Sequence, residues 1–179
     1  MILGLTGYAR TGKDTVAEIL IKDYGFERIA FADPIRNLLF ELNPLVNGVR
    51  LQDMVNEYGW EITKSQIEVR RLLQNLGVGA RNVFGENFWI NQALLKVNLS
   101  KDYVVTDVRF KNEIAAIRKL PSRIWRIQRS GVVAVNNHIS EHDLDDVEVD
   151  YTLLNEGPIE YLSTLVEEQM QVLRVKKQS

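Results

Sequence analysis

The chain has no cysteine among its 179 residues. That excludes disulfides, thiol nucleophiles and cysteine-ligated zinc. Histidine is nearly as scarce, with only two residues, His138 and His142. Neither sign of charge prevails: 22 Lys and Arg stand against 24 Asp and Glu, for a formal net charge of −2. No whole-molecule basic field attracts nucleic acid, so no nucleic-acid partner is expected. No apolar run approaches the roughly 20 residues of a membrane span, and with an apolar strand expected directly at residues 2–6 no cleavable signal is expected. Neither membrane insertion nor export is expected, and the cytoplasm is the default compartment. Internal repeats, low-complexity tracts and an interdomain linker are also missing, which leaves one domain spanning 1–179.

What is present is ordinary for a globular protein: 45% hydrophobic and 26% charged residues, on a chain long enough to bury a core. Apolar periodicity predicts alternating elements. Strands are expected at residues 2–6, 26–31, 103–107, 123–128 and 151–154. Helices are expected from Lys13 to Tyr24 and from Ile35 to Leu42, and again at 49–58, 64–76, 86–98 and 111–120. A last helix follows Gly157-Pro158. Asn43–Gly48 reads as a loop, Gly77 and Gly79 as helix breakers, and the tail after Val175 as frayed. Strands alternating with helices indicate an α/β fold with a mainly parallel sheet. The helical stretch at about 35–98 reads as an insertion beside the core, suited to covering a second substrate.

The opening segment carries the strongest chemical signal. A short apolar run, Ile2-Leu3-Gly4-Leu5-Thr6, enters Gly7-Tyr8-Ala9-Arg10-Thr11-Gly12-Lys13-Asp14-Thr15. Gly7 and Gly12 have the G-x-x-x-x-G-K spacing of a phosphate-binding loop. Such glycines let backbone N–H groups converge on phosphate oxygens, and the helix that follows presents its positive end to the same anion. Lys13 is placed to reach the β- and γ-phosphates, with Arg10 and Asp14 beside them. The residue after the lysine is ordinarily Ser or Thr, whose hydroxyl binds Mg²⁺. Here it is Asp14, and the hydroxyl comes one place later at Thr15. Either Thr15 takes the metal role or Asp14 holds a metal-bound water. The bland alternative is a strand–turn–helix connection without a ligand.

Asp107 ends an apolar strand, at the edge where such sheets bind ligands. It can hold Mg²⁺ or cap the next helix. Asp33, before Pro34, can likewise meet an acceptor hydroxyl or cap a helix. Phosphoryl transfer between two anions needs positive charge around donor, acceptor and the group in flight. Arginine's planar fork suits it. Candidates are Arg36, Arg70, Arg71, Arg81, Arg109 and Arg129; taken singly, each can equally be a solvated surface charge. Arg70 and Arg71 are consecutive, so on a helix they cannot face the same way. A competing signal is His138-Ile139-Ser140-Glu141-His142, an H-x-x-E-H pattern compatible with zinc. Its acidic, polar surroundings favour a loop in which Ser140 and Glu141 cap the next segment or approach a ligand.

Taken in order, the segments Gly7–Thr15, Phe31-Ala32-Asp33-Pro34, Thr106-Asp107-Val108-Arg109-Phe110-Lys111-Asn112-Glu113 and His138-Ile139-Ser140-Glu141 resemble the deoxynucleoside monophosphate kinases of bacteriophages. The resemblance runs from residue 4 to about 144, and the D-V-R-F-x-N-E segment is its specific part. It implies the three-layer fold of the P-loop NTPases, in its NMP-kinase branch, with a helical insertion for the acceptor nucleotide. It implies ATP with Mg²⁺ as donor, a deoxynucleoside monophosphate as acceptor, a role in DNA precursor supply, and often a homodimer. Lys13 and Thr15 are implied for ATP phosphates and metal, Arg109 for phosphate contact, and Asp33 and Arg36 for the acceptor side. The chain departs from the family at Leu76-Gly77-Val78-Gly79, where a Leu-Gly-Thr-Glu type run is usual. It departs again at Ser130-Gly131-Val132, where Pro-Gly is frequent. The rival reading in the same chemistry is a kinase for another small acceptor such as dephospho-coenzyme A. A GTPase switch is disfavoured, because Phe110 stands where its glycine belongs and no Asn-Lys-x-Asp occurs.

Overall fold

The computed structural model describes residues 1–133 and 142–178, with side chains through 174. Contacts divide the chain into two units. One combines Met1–Ala30 with Val97–Ser179, and the other is Phe31–Lys96.

The first unit is built on five strands: β1 (Ile2–Thr6), β2 (Glu27–Ile29), β5 (Tyr103–Val105), β6 (Ser122–Gln128) and β7 (Tyr151–Leu154). They lie in the order β2-β5-β1-β6-β7, and every neighbouring pair is parallel. β1 is central, pairing Ile2 with Tyr103 on one side and with Ser122 on the other. All five of its residues are buried, as a strand covered on both faces requires. Side chains alternate between those faces. Leu3 and Leu5 pack with Val16, Ala17 and Leu20 of α1 (Lys13–Tyr24), and with Leu162, Val166 and Met170 of α7 (Ile159–Gln178). On the opposite face, a Cβ at Gly4 would stand 2.8 Å from Ile124 Cδ1 and 3.3 Å from Cδ1 of Ile117, in α6 (Lys111–Ile117). Helices on both faces make the unit three-layered.

The second unit is mainly helical, with α2 (Asp33–Leu42), α3 (Leu51–Thr63), α4 (Ile67–Phe84) and α5 (Phe88–Leu94). Its core gathers Leu39, Val46, Leu51, Met54 and Val69. Two features differ from expectation. The stretch read as a loop contains a short antiparallel hairpin, β3 (Leu45–Val46) with β4 (Val49–Arg50). Asn47 (φ 50) and Gly48 (φ 84) turn it, the pattern of a type I′ turn. Secondly, α4 does not break at Gly77 or Gly79 but continues to Phe84. Tertiary contact outweighs the weak helix propensity of glycine there: Gly77 is buried, and its carbonyl accepts the Trp89 indole N–H at 2.9 Å. Elsewhere the differences are at element ends. β2 is confined to Glu27–Ile29, α5 to Phe88–Leu94, and α7 stays helical to Gln178. Gly59 (φ 75, ψ 164) interrupts α3 one residue after the expected end at Tyr58.

Candidate active site

Three parallel strands end on one edge and set the site in the first unit. β1 enters the loop at Gly7, and α1 leaves it at Gly12. Gly7 has φ +133, and a Cβ there would come within 2.2 Å of the Ile127 carbonyl oxygen on β6. Gly12 has φ +104, with a hypothetical Cβ 2.5 Å from Asn155 Nδ2 just after β7. Both positions combine left-handed backbone with close approach, so glycine is required twice over. Arg10 also adopts a positive φ, 68°.

The interior of this loop is organised by hydrogen bonds. The Lys13 ammonium donates to the Gly7 carbonyl at 2.6 Å and to the Tyr8 carbonyl at 2.7 Å. Thr11 Oγ1 donates to the same Tyr8 carbonyl at 2.9 Å. Asn155 donates its side-chain amide to the Thr11 carbonyl at 2.9 Å in a buried contact. Gly12 brings no capping side chain to α1, and the N–H groups of a helix's first turn have no intrahelical partner. Those groups and the Lys13 charge are what a polyphosphate needs. Asp14 is exposed in this first turn, and Thr15 is half-buried beside it.

Asp107 lies two residues beyond Val105, the partner of Gly4 in the β1–β5 register. It does not cap α6: the N-cap residue is Phe110. The capping function falls to Glu113, the last residue of the D-V-R-F-x-N-E segment, to which the sequence alone assigns no role. Its Oε2 accepts the main-chain N–H of Arg109 at 2.6 Å and of Phe110 at 3.0 Å. Burial pushes the Glu113 carboxyl up to about 7, with the neighbouring Asp107 charge adding to the rise against the two N–H donors and Arg109. The available signal was a glutamate three residues after the cap position, the second half of a capping box. Arg109 is exposed, and Arg129 is exposed in the turn that follows β6, where the Val132 N–H bonds the Arg129 carbonyl at 3.1 Å.

Residues 142–147 pack against this edge. Tyr8 donates its hydroxyl to Asp145 Oδ1 at 2.9 Å, and His142 Nδ1 meets Asp145 Oδ2 at 3.0 Å. Partial burial raises the Asp145 carboxyl, but the bonds to His142 and Tyr8 outweigh it and hold the group below its ordinary value. Arg126 donates to the carbonyls of Leu144 at 2.5 Å and Val147 at 2.8 Å. The rest of the H-x-x-E-H pattern, His138, Ser140 and Glu141, lies outside the described residues. Among the described residues no group of three or more His, Asp or Glu can hold a metal.

The second unit carries the remaining candidates. Asp33 is the first residue of α2, after the cap residue Ala32, and its carboxylate lies 3.9 Å from Arg36. It is therefore not the cap. On α4, Arg71 pairs with Glu68 at 2.7 Å, and its neighbour Arg70 is exposed. Arg81 donates weakly to the Gly77 carbonyl at 3.3 Å.

A parallel sheet whose central strand ends in a glycine-bounded lysine loop defines a P-loop kinase fold. The fold is similar to that of a dephospho-CoA kinase from Campylobacter jejuni, with a TM-score of 0.52 over 96% of each chain at 16% identity. By sequence, residues 45–166 match the family described as deoxynucleotide monophosphate kinase. A putative deoxynucleotide monophosphate kinase of Acanthamoeba polyphaga mimivirus is 30% identical over 176 residues, covering 89% of this chain and 91% of that protein. The deoxynucleotide monophosphate kinase of Enterobacteria phage T4 is 28% identical over 130 residues, covering 69% of this chain and 52% of that protein. The chain belongs to the deoxynucleotide monophosphate kinase family. It spans about half the length of the phage T4 relative.

Proposed function

We infer that the chain transfers the γ-phosphoryl group of ATP to a deoxynucleoside 5′-monophosphate, giving the diphosphate for DNA precursor synthesis. The observation that carries this reading is the Lys13 ammonium gathered onto the carbonyls of the loop that ends β1, in a chain of this kinase family. Gly7, Arg10, Gly12, Lys13, Asp14 and Thr15 form the ATP side. An oxygen of the acceptor phosphate attacks the γ-phosphorus in line. The new O–P bond forms as the bond to the β–γ bridging oxygen breaks, and ADP leaves with that electron pair. The attacking oxygen is already anionic, so no general base is needed; catalysis is positioning and charge neutralisation.

Lys13 neutralises the donor phosphates, and Arg109 and Arg129, beyond the ends of the two strands that flank β1, stabilise the group in flight. Asp33, Arg36, Arg70, Arg71 and Asp107 serve the acceptor, with Arg70 favoured over Arg71 because Glu68 engages the latter. Mg²⁺ would supply further charge neutralisation when bound with ATP. The Thr15 hydroxyl and the Asp107 carboxylate would hold it; both are the hard oxygen donors this ion selects, usually with substrate phosphates completing its shell. A homodimer acting in the cytoplasm, without nucleic acid or membrane, completes the reading. Among the described residues no helix is long and apolar enough to cross a membrane.

The test is acceptor-dependent ADP release with dGMP, dTMP, dCMP, dAMP and dephospho-coenzyme A in parallel. Turnover with one or more of the deoxynucleotides is expected. Turnover with dephospho-coenzyme A alone, or release indifferent to every acceptor, would overturn the assignment.

A further inference from the structure

Glu113 is a buried carboxyl, 8% exposed, that the phosphoryl-transfer scheme leaves unused. Its Oε2 receives two consecutive main-chain N–H groups, from Arg109 at 2.6 Å and Phe110 at 3.0 Å. The next N–H along, that of Lys111, donates to Asp143 Oδ2 at 2.8 Å. Three successive backbone donors are therefore held by two acids. In the turn from β5 into α6, Phe110, the N-cap, is extended (φ −127, ψ 150), and its side chain has no acceptor, so the capping oxygen of this turn comes from Glu113. This turn carries both Asp107 and Arg109.

We propose that Glu113 is a positioning residue of the phosphoryl-transfer site, which fixes the backbone from which Arg109 reaches the phosphates. The inference rests on the kinase reading above. Glu113 touches no substrate; it acts through the turn. An oxygen in the Oε2 position accepts these N–H groups whether the carboxyl is ionised or carries a proton on Oε1, so geometry rather than charge is the working property. The side-chain length also matters. Aspartate at 113 retains the carboxyl but withdraws it by one methylene, out of reach of both donors at their present spacing.

The experiment compares wild type, Glu113→Gln, Glu113→Asp, Glu113→Ala and Arg109→Ala, with Glu113→Ala also combined with Arg109→Ala. Steady-state kcat and KM are measured with ATP·Mg²⁺ and whichever deoxynucleotide wild type accepts. Glutamine keeps a carbonyl oxygen at the same reach, so kcat is expected within about threefold of wild type. Aspartate and alanine lose the anchor, and kcat falls by about 10- to 100-fold, the scale set by small misplacements of a catalytic group. The KM for ATP moves far less, because the Lys13 loop is untouched. On the Arg109→Ala background the Glu113→Ala penalty shrinks to a few-fold, since the residue acts through a group already removed. Wild-type kcat in Glu113→Asp, a full multiplicative penalty in the double variant, or a loss confined to KM for ATP would each overturn the proposal. If Glu113→Ala does not fold, the contrast between glutamine and aspartate decides the matter by itself. Failure of the kinase reading is seen separately, as wild type without acceptor-dependent turnover.

Discussion

Asn155 and Thr11 lie 144 residues apart in sequence, and the amide of one donates to the carbonyl of the other at 2.9 Å in the buried interior. The turn after β7 is thereby tied to the phosphate loop after β1. The Asn155 main chain is anchored as well, through its N–H to the Gln128 carbonyl at 2.8 Å. Asn155→Ala leaves the Thr11 carbonyl without its partner. The expected loss is about 1–3 kcal/mol of stability, read as a lower midpoint in urea or heat. ATP affinity by calorimetry should fall as well. An unchanged midpoint would show that the contact contributes nothing net.

Lys13→Ala removes the ammonium that sits on the Gly7 and Tyr8 carbonyls. Turnover should drop by about 100-fold or more, a scale typical of losing one group that stabilises developing charge. Circular dichroism and the melting midpoint should stay close to wild type, because the side chain is only half-buried. Activity near wild type in a folded Lys13→Ala protein would remove Lys13 from the mechanism.

Glu113 makes stability depend on pH. Its carboxyl is raised from an ordinary 4.5 to about 7 in the folded chain, chiefly by burial. Between those values the folded protein keeps a proton that the unfolded chain gives up. The contribution is therefore fully present below about 4.5 and is lost as pH rises through 7. Relative to Glu113→Gln, wild type should lose on the order of 3 kcal/mol between pH 4.5 and pH 8, at about 1.4 kcal/mol per unit of pKa. Urea unfolding of both proteins across that range measures the difference. Parallel curves would mean that the carboxyl titrates normally.

Gly79 lies inside α4 with an ordinary helical φ, and a Cβ there would meet nothing within 4 Å. Gly79→Ala should raise stability by about 0.5–1 kcal/mol through helix propensity and a less disordered unfolded chain. At Gly77 the added methyl would sit 3.5 Å from Ile35 Cδ1, an ordinary contact, so Gly77→Ala should gain no more than Gly79→Ala. A thermal shift of each variant tests the pair; destabilisation by Gly79→Ala would point to a closer neighbour at that position.

The first unit is the more legible in the sequence. β1 is a buried apolar run and β7 a short edge strand that buries only Leu153, and their expected limits, 2–6 and 151–154, coincide with the strands found. The second unit is read less well for identifiable reasons. Gly77 and Gly79 break a helix in isolation, but here the Gly77 carbonyl takes the indole N–H of Trp89, a contact from the next helix that periodicity within α4 does not register. The hairpin at 45–50 did have a local signal, Asn47-Gly48, with strands too short for periodicity to register. At the site, the loop glycines and Lys13 are legible because their spacing is the chemistry. Asn155 is not, because its partner is a main-chain group 144 residues away that only the fold brings near; Glu113 had a local capping signal, but Phe110 stands where the usual Ser or Thr of that motif would announce it.

The arrangement of the sheet also bears on synthesis. β1 is its middle strand, yet the segments that flank it begin at Tyr103 and Ser122. A ribosome working at about 5–20 residues per second needs roughly 5–20 s to supply them. Throughout that interval the apolar segment Ile2–Thr6 has no native bed, and the glycine-bounded loop that follows it cannot take its native form. The strand that carries the loop is thus made first and bedded late, which makes this sheet a product of long-range pairing.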